Sequence, residues 1–279
     1  MAAVALAPAR LGRRARALLI GALLVAAVVA WAVTDLRMAG MGGGTDLGSL
    51  GFYVGIWVVM MAAMMFPSVW PMIVAYHAIA RRRRELGKAA PAAGSTVFLA
   101  GYLIAWTLYG LIAYGVIEAG RALDGDLLAW DRAGPYVAGA VILAAAAYQL
   151  TPAKDVCLRK CRSPMHFFFG IWRDGASGAV RMGIEHGAWC VGCCWALMAA
   201  LFALGAMSLG WMAFVGALIA IEKLLPWKPA ANRGVAVMLL VLGLAVITTP
   251  ASVPGLGPAS MSKESMSNGS GASMSQPIR

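Results

Sequence analysis

Apolar residues run along this chain in long blocks, separated by short segments that collect the charges. A helix needs about 20 apolar residues to cross the hydrocarbon core of a bilayer. Seven blocks approach that length: about 17–33, 51–80, 95–118, 134–150, 187–204, 207–221 and 234–249. The pattern predicts an all-α, polytopic transmembrane helical bundle of about seven spans, the sixth being short. Pro67 and Pro71 fall inside the second block. Neither can donate a backbone hydrogen bond, so both are expected to break the helical ladder and free carbonyls there.

Composition agrees with the pattern. Of 279 residues, 61% are hydrophobic and 13% charged, against about 25% charged in an average soluble domain. The mean hydropathy is +0.76. The net charge of +11 would suggest nucleic acid in a soluble protein. Here it fits basic cytoplasmic loops beside anionic lipid, so the bilayer is the expected partner and nucleic acid is not. With a cytoplasmic N-terminus and an external C-terminus, 18 of the 23 Lys and Arg fall inside, as the positive-inside rule requires. The expected location is the inner (plasma) membrane, multi-pass. The expected organisation is a basic cytoplasmic N-terminus (1–16), a helical membrane domain (17–250) with a cytoplasmic Cys-containing loop (151–186), and a disordered, external tail rich in Met and Ser (251–279). Ala30-Trp31-Ala32 behind a basic flank also reads as a signal-peptide cleavage site. An uncleaved anchor is the expectation.

The chemistry gathers in two spans and one loop. On a helix, positions i, i+3, i+4 and i+8 share a face. That spacing lines up His186, Cys190, Cys193, Cys194 and Met198, with one imidazole, three thiols and one thioether. This soft-ligand set suits Cu(I), Zn(II) or another thiophilic metal such as Hg(II). Cysteine also packs as a small apolar residue, but three with a histidine on one stripe argue for function. In the expected topology the stripe lies one to two turns into the inner half of the membrane, and Glu222-Lys223 returns to the same depth. That pair either anchors a helix end or orients His186 and balances the charge of a bound ion. Cys157 and Cys161, spaced i, i+4, form a second cluster among Lys154, Arg159, Lys160 and Arg162. Cationic neighbours favour thiolate, and the cytoplasm keeps thiols reduced. The segment 165–172 that follows is expected to be interfacial, which leaves His166 a weak ligand candidate.

The chain has 17 methionines. Met60 with Met64 and Met61 with Met65 make two overlapping i, i+4 pairs. Thioether stacks can pass Cu(I), because they bind it weakly enough to let it leave. Methionine also fills gaps between helices. Met38, Met41, Met261, Met266 and Met274 map to the outside, whereas all five Cys map to the inside. Thioethers tolerate an oxidising medium and thiols survive a reducing one. The gradient suits a soft ion moving inward.

The runs Met60–Pro67, Thr151–Pro164, Arg181–Met198 and Glu222-Lys223 together resemble the bacterial family of predicted metal-binding integral membrane proteins, a family defined as a domain of unknown function. The resemblance covers about residues 15–250. It implies an integral membrane protein that binds a metal, and no further activity comes with it.

The expectation is a membrane protein that binds, and moves or delivers, Cu(I). Met60, Met61, Met64 and Met65 would be the transit or first site. His186, Cys190, Cys193 and Cys194, with Met198 and Glu222, would form the inner site, and Cys157 with Cys161 the hand-off pair to a cytoplasmic partner. A cytoplasmic or periplasmic metallochaperone is the expected protein partner. No Walker A sequence is present, so ATP is not the direct energy source. A copper-enzyme assembly factor fits the same residues. The rival is a membrane thiol-disulfide oxidoreductase using the Cys190-x-x-Cys193 pair. Cys194 is surplus to that chemistry, and an enzyme is the weaker reading. A structural subunit with vestigial ligands is the third.

Overall fold

The computed structural model describes residues 12–38, 49–91, 93–124, 133–205, 208–225 and 228–249. Among these, all regular structure is helical: α1 (Arg13–Met38), α2 (Leu50–Glu85), α3 (Gly94–Asp124), α4 (Gly134–Gln149), α5 (Pro152–Arg162), α6 (Pro164–Ile171), α7 (Gly175–Ala203), α8 (Leu209–Leu224) and α9 (Lys228–Thr248). Met41 and the tail with Met261, Met266 and Met274 lie outside the described residues, so the expected outer methionine sites and the expected disordered tail do too.

Five helices, α1, α2, α3, α7 and α9, are long and apolar enough to cross a membrane. A sixth candidate is α4 with α5, bent by 69°. The sixth expected block, 207–221, is as short as the sequence suggests. α8 forms, but its 16 residues reach only about 24 Å, short of a core about 30 Å thick. The bend between α4 and α5 follows from the sequence Leu150-Thr151-Pro152. The Leu150 amide closes a last tight turn on the Ala147 carbonyl at 3.1 Å, and Thr151 is extended. Pro152 has no amide to donate, and Thr151 Oγ1 caps the new helix by accepting from the Lys154 amide at 3.3 Å. α2 stays helical for 36 residues through Pro67 and Pro71, which leave the carbonyls of Ala63 and Pro67 without a ladder amide. Ser68 Oγ, between the two prolines, donates to the Met65 carbonyl at 2.9 Å.

α2 and α7 are the most buried spans: α1 packs on α2, α3 and α8 on both, α4 and α5 on α7, and α9 packs outside α4. Glycine sets the tightest interface. A Cβ on Gly183 of α7 would collide with the Phe98 carbonyl of α3, and one on Gly101 of α3 with the Val180 carbonyl of α7. Backbone therefore packs on backbone, as small residues allow between apolar helices. At one end Tyr53 and Trp57 of α2 donate to the carbonyls of Gly110 and Trp106 of α3, both at 2.9 Å. At the other end Arg83 holds Asp174 through two hydrogen bonds of 2.6 and 2.8 Å, pinning the start of α7 to the end of α2.

α6 covers most of the segment 165–172 that the sequence reads as interfacial, and it packs one side into the bundle. Phe167 and Phe168 are buried, with Phe168 5.8 Å from the rings of Tyr76 and Phe98. Only its outer side, with His166 and Phe169, is exposed.

Candidate metal centre

Two helices bring thiols together. α7 turns His186, Cys190, Cys193, Cys194 and Met198 inward, none more than 1% exposed. This is the stripe that the i, i+3, i+4 spacing predicts. α5 buries Lys154, Leu158 and Cys161, spaced i, i+4, i+7, against the bundle. The Sγ atoms of Cys161, Cys190 and Cys193 all lie within 4.8 Å of one another. An ion about 2.3 Å from each of three sulfurs sets them about 4.0 Å apart, so the trio needs little movement to close on one. Cys194 Sγ is 3.3 Å from Cys193 Sγ, and the Cys193 thiol donates to the Cys190 carbonyl at 3.2 Å. All five cysteines are free.

The trio divides the residues otherwise than the sequence suggests. Cys161 belongs with the thiols of α7. Cys157, one turn earlier and half-buried, faces Gly192, where a Cβ would come within 2.8 Å of its sulfur. The two cysteines of α5 thus meet α7 at different points and do not form a separate pair. The basic neighbours expected to activate them are engaged elsewhere. Lys154 pairs with Glu222, Lys160 lies 4.1 Å over the Trp189 ring, and Arg162 donates to the Leu225 carbonyl. α7 begins at Gly175, three turns before His186, so the thiols stand at mid-helix.

The cation at the thiols is Lys223 of α8. Its Nζ is 2.9 Å from Cys190 Sγ, 3.4 Å from Ser68 Oγ and 4.0 Å from Met65 Sδ. Tyr102 of α3 places its hydroxyl 3.0 Å from the same Cys190 sulfur. Tyr102 and Ser68 carry no signal in the sequence. Lys223 did carry one, a charge inside an apolar helix, but the same residue at a helix end could equally have reached the surface. It is 9% exposed.

The other candidates are placed as follows. Glu222 is buried and points away from the thiols, with Oε2 2.7 Å from Lys154 Nζ. His186 is one turn from Cys190, its ring among Phe98, Tyr102 and Phe167 at 5.4–5.9 Å between centroids, and its Nδ1 has no partner. It is outside the three-thiol group. Met60, Met61, Met64 and Met65 are all buried, none more than 2% exposed. Met65 borders the thiols through Lys223, while Met64 packs against Gly216 of α8.

A family model described as PpoB2, copper chaperone, matches residues 54–246. That stretch contains the thiol trio, Lys223 and the four methionines of α2. No curated protein and no solved structure matches the chain.

Proposed function

The chain belongs to the PpoB2 copper-chaperone family, and from that premise we propose that it is an integral membrane protein that accepts Cu(I) on buried thiols and delivers it to a protein acceptor. The observation that carries this reading is the trio Cys161, Cys190 and Cys193, drawn from two helices to within 4.8 Å and closed to solvent. Packing alone gives no reason for three thiols to meet in this way. Soft sulfur ligands favour Cu(I) over hard ions. Three thiolates on Cu(I) carry two negative charges, and the Lys223 ammonium beside Cys190 is placed to offset one of them.

Met65 borders the trio on the α2 side, and Met61 lies one turn away on the same helix. In this proposal the methionines of α2 receive the ion and the thiols hold it. The same proposal takes the N-terminus to be cytoplasmic and the C-terminus external, a reading supported by the charge distribution, and the inward movement is supported by the outer methionines and inner cysteines of the sequence. Exposed apolar residues support the membrane setting: Leu18, Val25 and Val28 on α1, Ile104, Leu108 and Ile112 on α3, and Val237 and Val241 on α9. A water-facing surface does not carry bands of this size on three helices.

The test is metal content by mass spectrometry. The protein is purified anaerobically from cells supplemented with copper and zinc, as wild type and as Cys161→Ser/Cys190→Ser/Cys193→Ser. Copper near one ion per wild-type chain, lost in the folded triple variant, is expected. A folded wild type carrying no copper overturns the reading.

A further inference from the structure

α8 supplies no thiol, yet its last turn touches both helices that do. Glu222 and Lys223 are consecutive, about 100° apart around the helix, and so reach different neighbours. Lys223 reaches Cys190 on α7. Glu222 reaches Lys154 on α5, with both side chains 1% exposed. Lys154 and Cys161 share the buried face of α5, two turns apart. The seating of Cys161 on the α7 thiols is therefore tied to the Lys154–Glu222 contact.

α5 is built to move more easily than its partners. It has 11 residues and follows a 69° bend. Its other polar ties are at its edges: Asn232 to Asp155 at 3.2 Å, Lys160 over Trp189, and Arg162 to the Leu225 carbonyl at its last residue. α7, by contrast, is locked to α3 through Gly101 and Gly183. The pocket around the ion pair is also only partly satisfied. Glu222 Oε1 and Gln149 Oε1 are both buried without a hydrogen-bond partner. Unsatisfied polar atoms cost stability in the closed state, which lowers the work of opening it. A buried ion pair adds little net stability but fixes one arrangement over others.

We propose that Lys154 and Glu222 are positioning residues that latch α5, so that the site holds three thiols when the latch is closed and two when it opens. The two-thiol state lets the enclosed ion leave. The proposal rests on the copper reading for what the site holds, but not for how α5 is held.

The test uses full-length protein in detergent, in two arms. X-ray absorption of the Cu(I)-loaded protein counts sulfur ligands in wild type, Cys161→Ser and Lys154→Met/Glu222→Met. The double variant replaces the pair without leaving a lone buried charge. Three sulfurs are expected in wild type and two in both variants. The second arm follows alkylation of Cys161 by N-ethylmaleimide in metal-free protein, with about a tenfold faster reaction expected in the double variant, as local opening becomes easier. If that variant does not accumulate, Glu222→Gln keeps an acceptor oxygen but leaves the Lys154 ammonium without a counter-charge, and gives a shift in the same direction. Three sulfurs and unchanged alkylation in a folded variant overturn the latch. A wild type that binds no copper overturns the copper reading instead, and the alkylation arm then decides the latch by itself.

Discussion

Lys223→Met removes one charge and little volume from the candidate site. The ammonium is 2.9 Å from Cys190 Sγ, and its other polar neighbours, Ser68 Oγ and Met65 Sδ, are neutral. Against a metal-bound thiolate at that separation, an effective dielectric of about 20 gives an attraction of about 6 kcal/mol. Keeping the ammonium out of water offsets roughly half of this, leaving about 3 kcal/mol, in the range found when one partner of a buried pair is removed. That corresponds to a Cu(I) affinity about 10²-fold weaker. The assay is anaerobic competition against a chromophoric Cu(I) chelator, with a melting curve to show that the variant is folded. Lys223→Arg, which keeps the charge, is expected to bind more tightly than Lys223→Met. A folded Lys223→Met that binds within about threefold of wild type, where the reasoning above requires about 10²-fold, refutes the charge-balancing role.

Three further outcomes follow from the geometry. Gly183→Leu forces a side chain onto the Phe98 carbonyl and should cost at least the 1–3 kcal/mol typical of overpacking, read as a lower melting temperature; an unchanged melt would mean that α3 and α7 do not touch there. Met65→Leu keeps the volume, so stability should fall by less than about 1.5 kcal/mol while Cu(I) uptake by the thiols slows. Uptake at the wild-type rate would remove Met65 from the path. Thr151→Ala removes the side-chain cap of α5 at a cost of about 1 kcal/mol, and Cys161 should become more open to alkylation, measured against the same residue in wild type.

Much of the site could be read along one helix. The stripe from His186 to Met198 needed only the helical repeat, and the structure buries all five of its side chains. The sequence could not show that Cys161, nearly thirty residues before Cys190, would join it. That depends on where α5 lands after the turn at Thr151-Pro152, which is a matter of tertiary packing. Glu222 and Lys223 illustrate the same boundary. Their position in an apolar helix marked them as unusual, but their separate partners, Lys154 and Cys190, lie on two other helices. The sequence marked the prolines of α2 but not that the helix would run on through them; Ser68, between the two, adds a side-chain bond to the Met65 carbonyl.

The enclosure of the thiols also acts on whatever ion approaches them. Cys190 and Cys193 are at most 1% exposed, and one turn away the rings of Phe98, Tyr102 and Phe167 lie 5.4–5.9 Å from that of His186. An ion that reaches the sulfurs must arrive without its hydration shell. Mg²⁺ holds its water tightly and gives it up reluctantly. A soft monovalent ion exchanges a loosely held shell for sulfur at little cost. The burial of the thiols therefore sorts ions by their grip on water as well as by their affinity for sulfur.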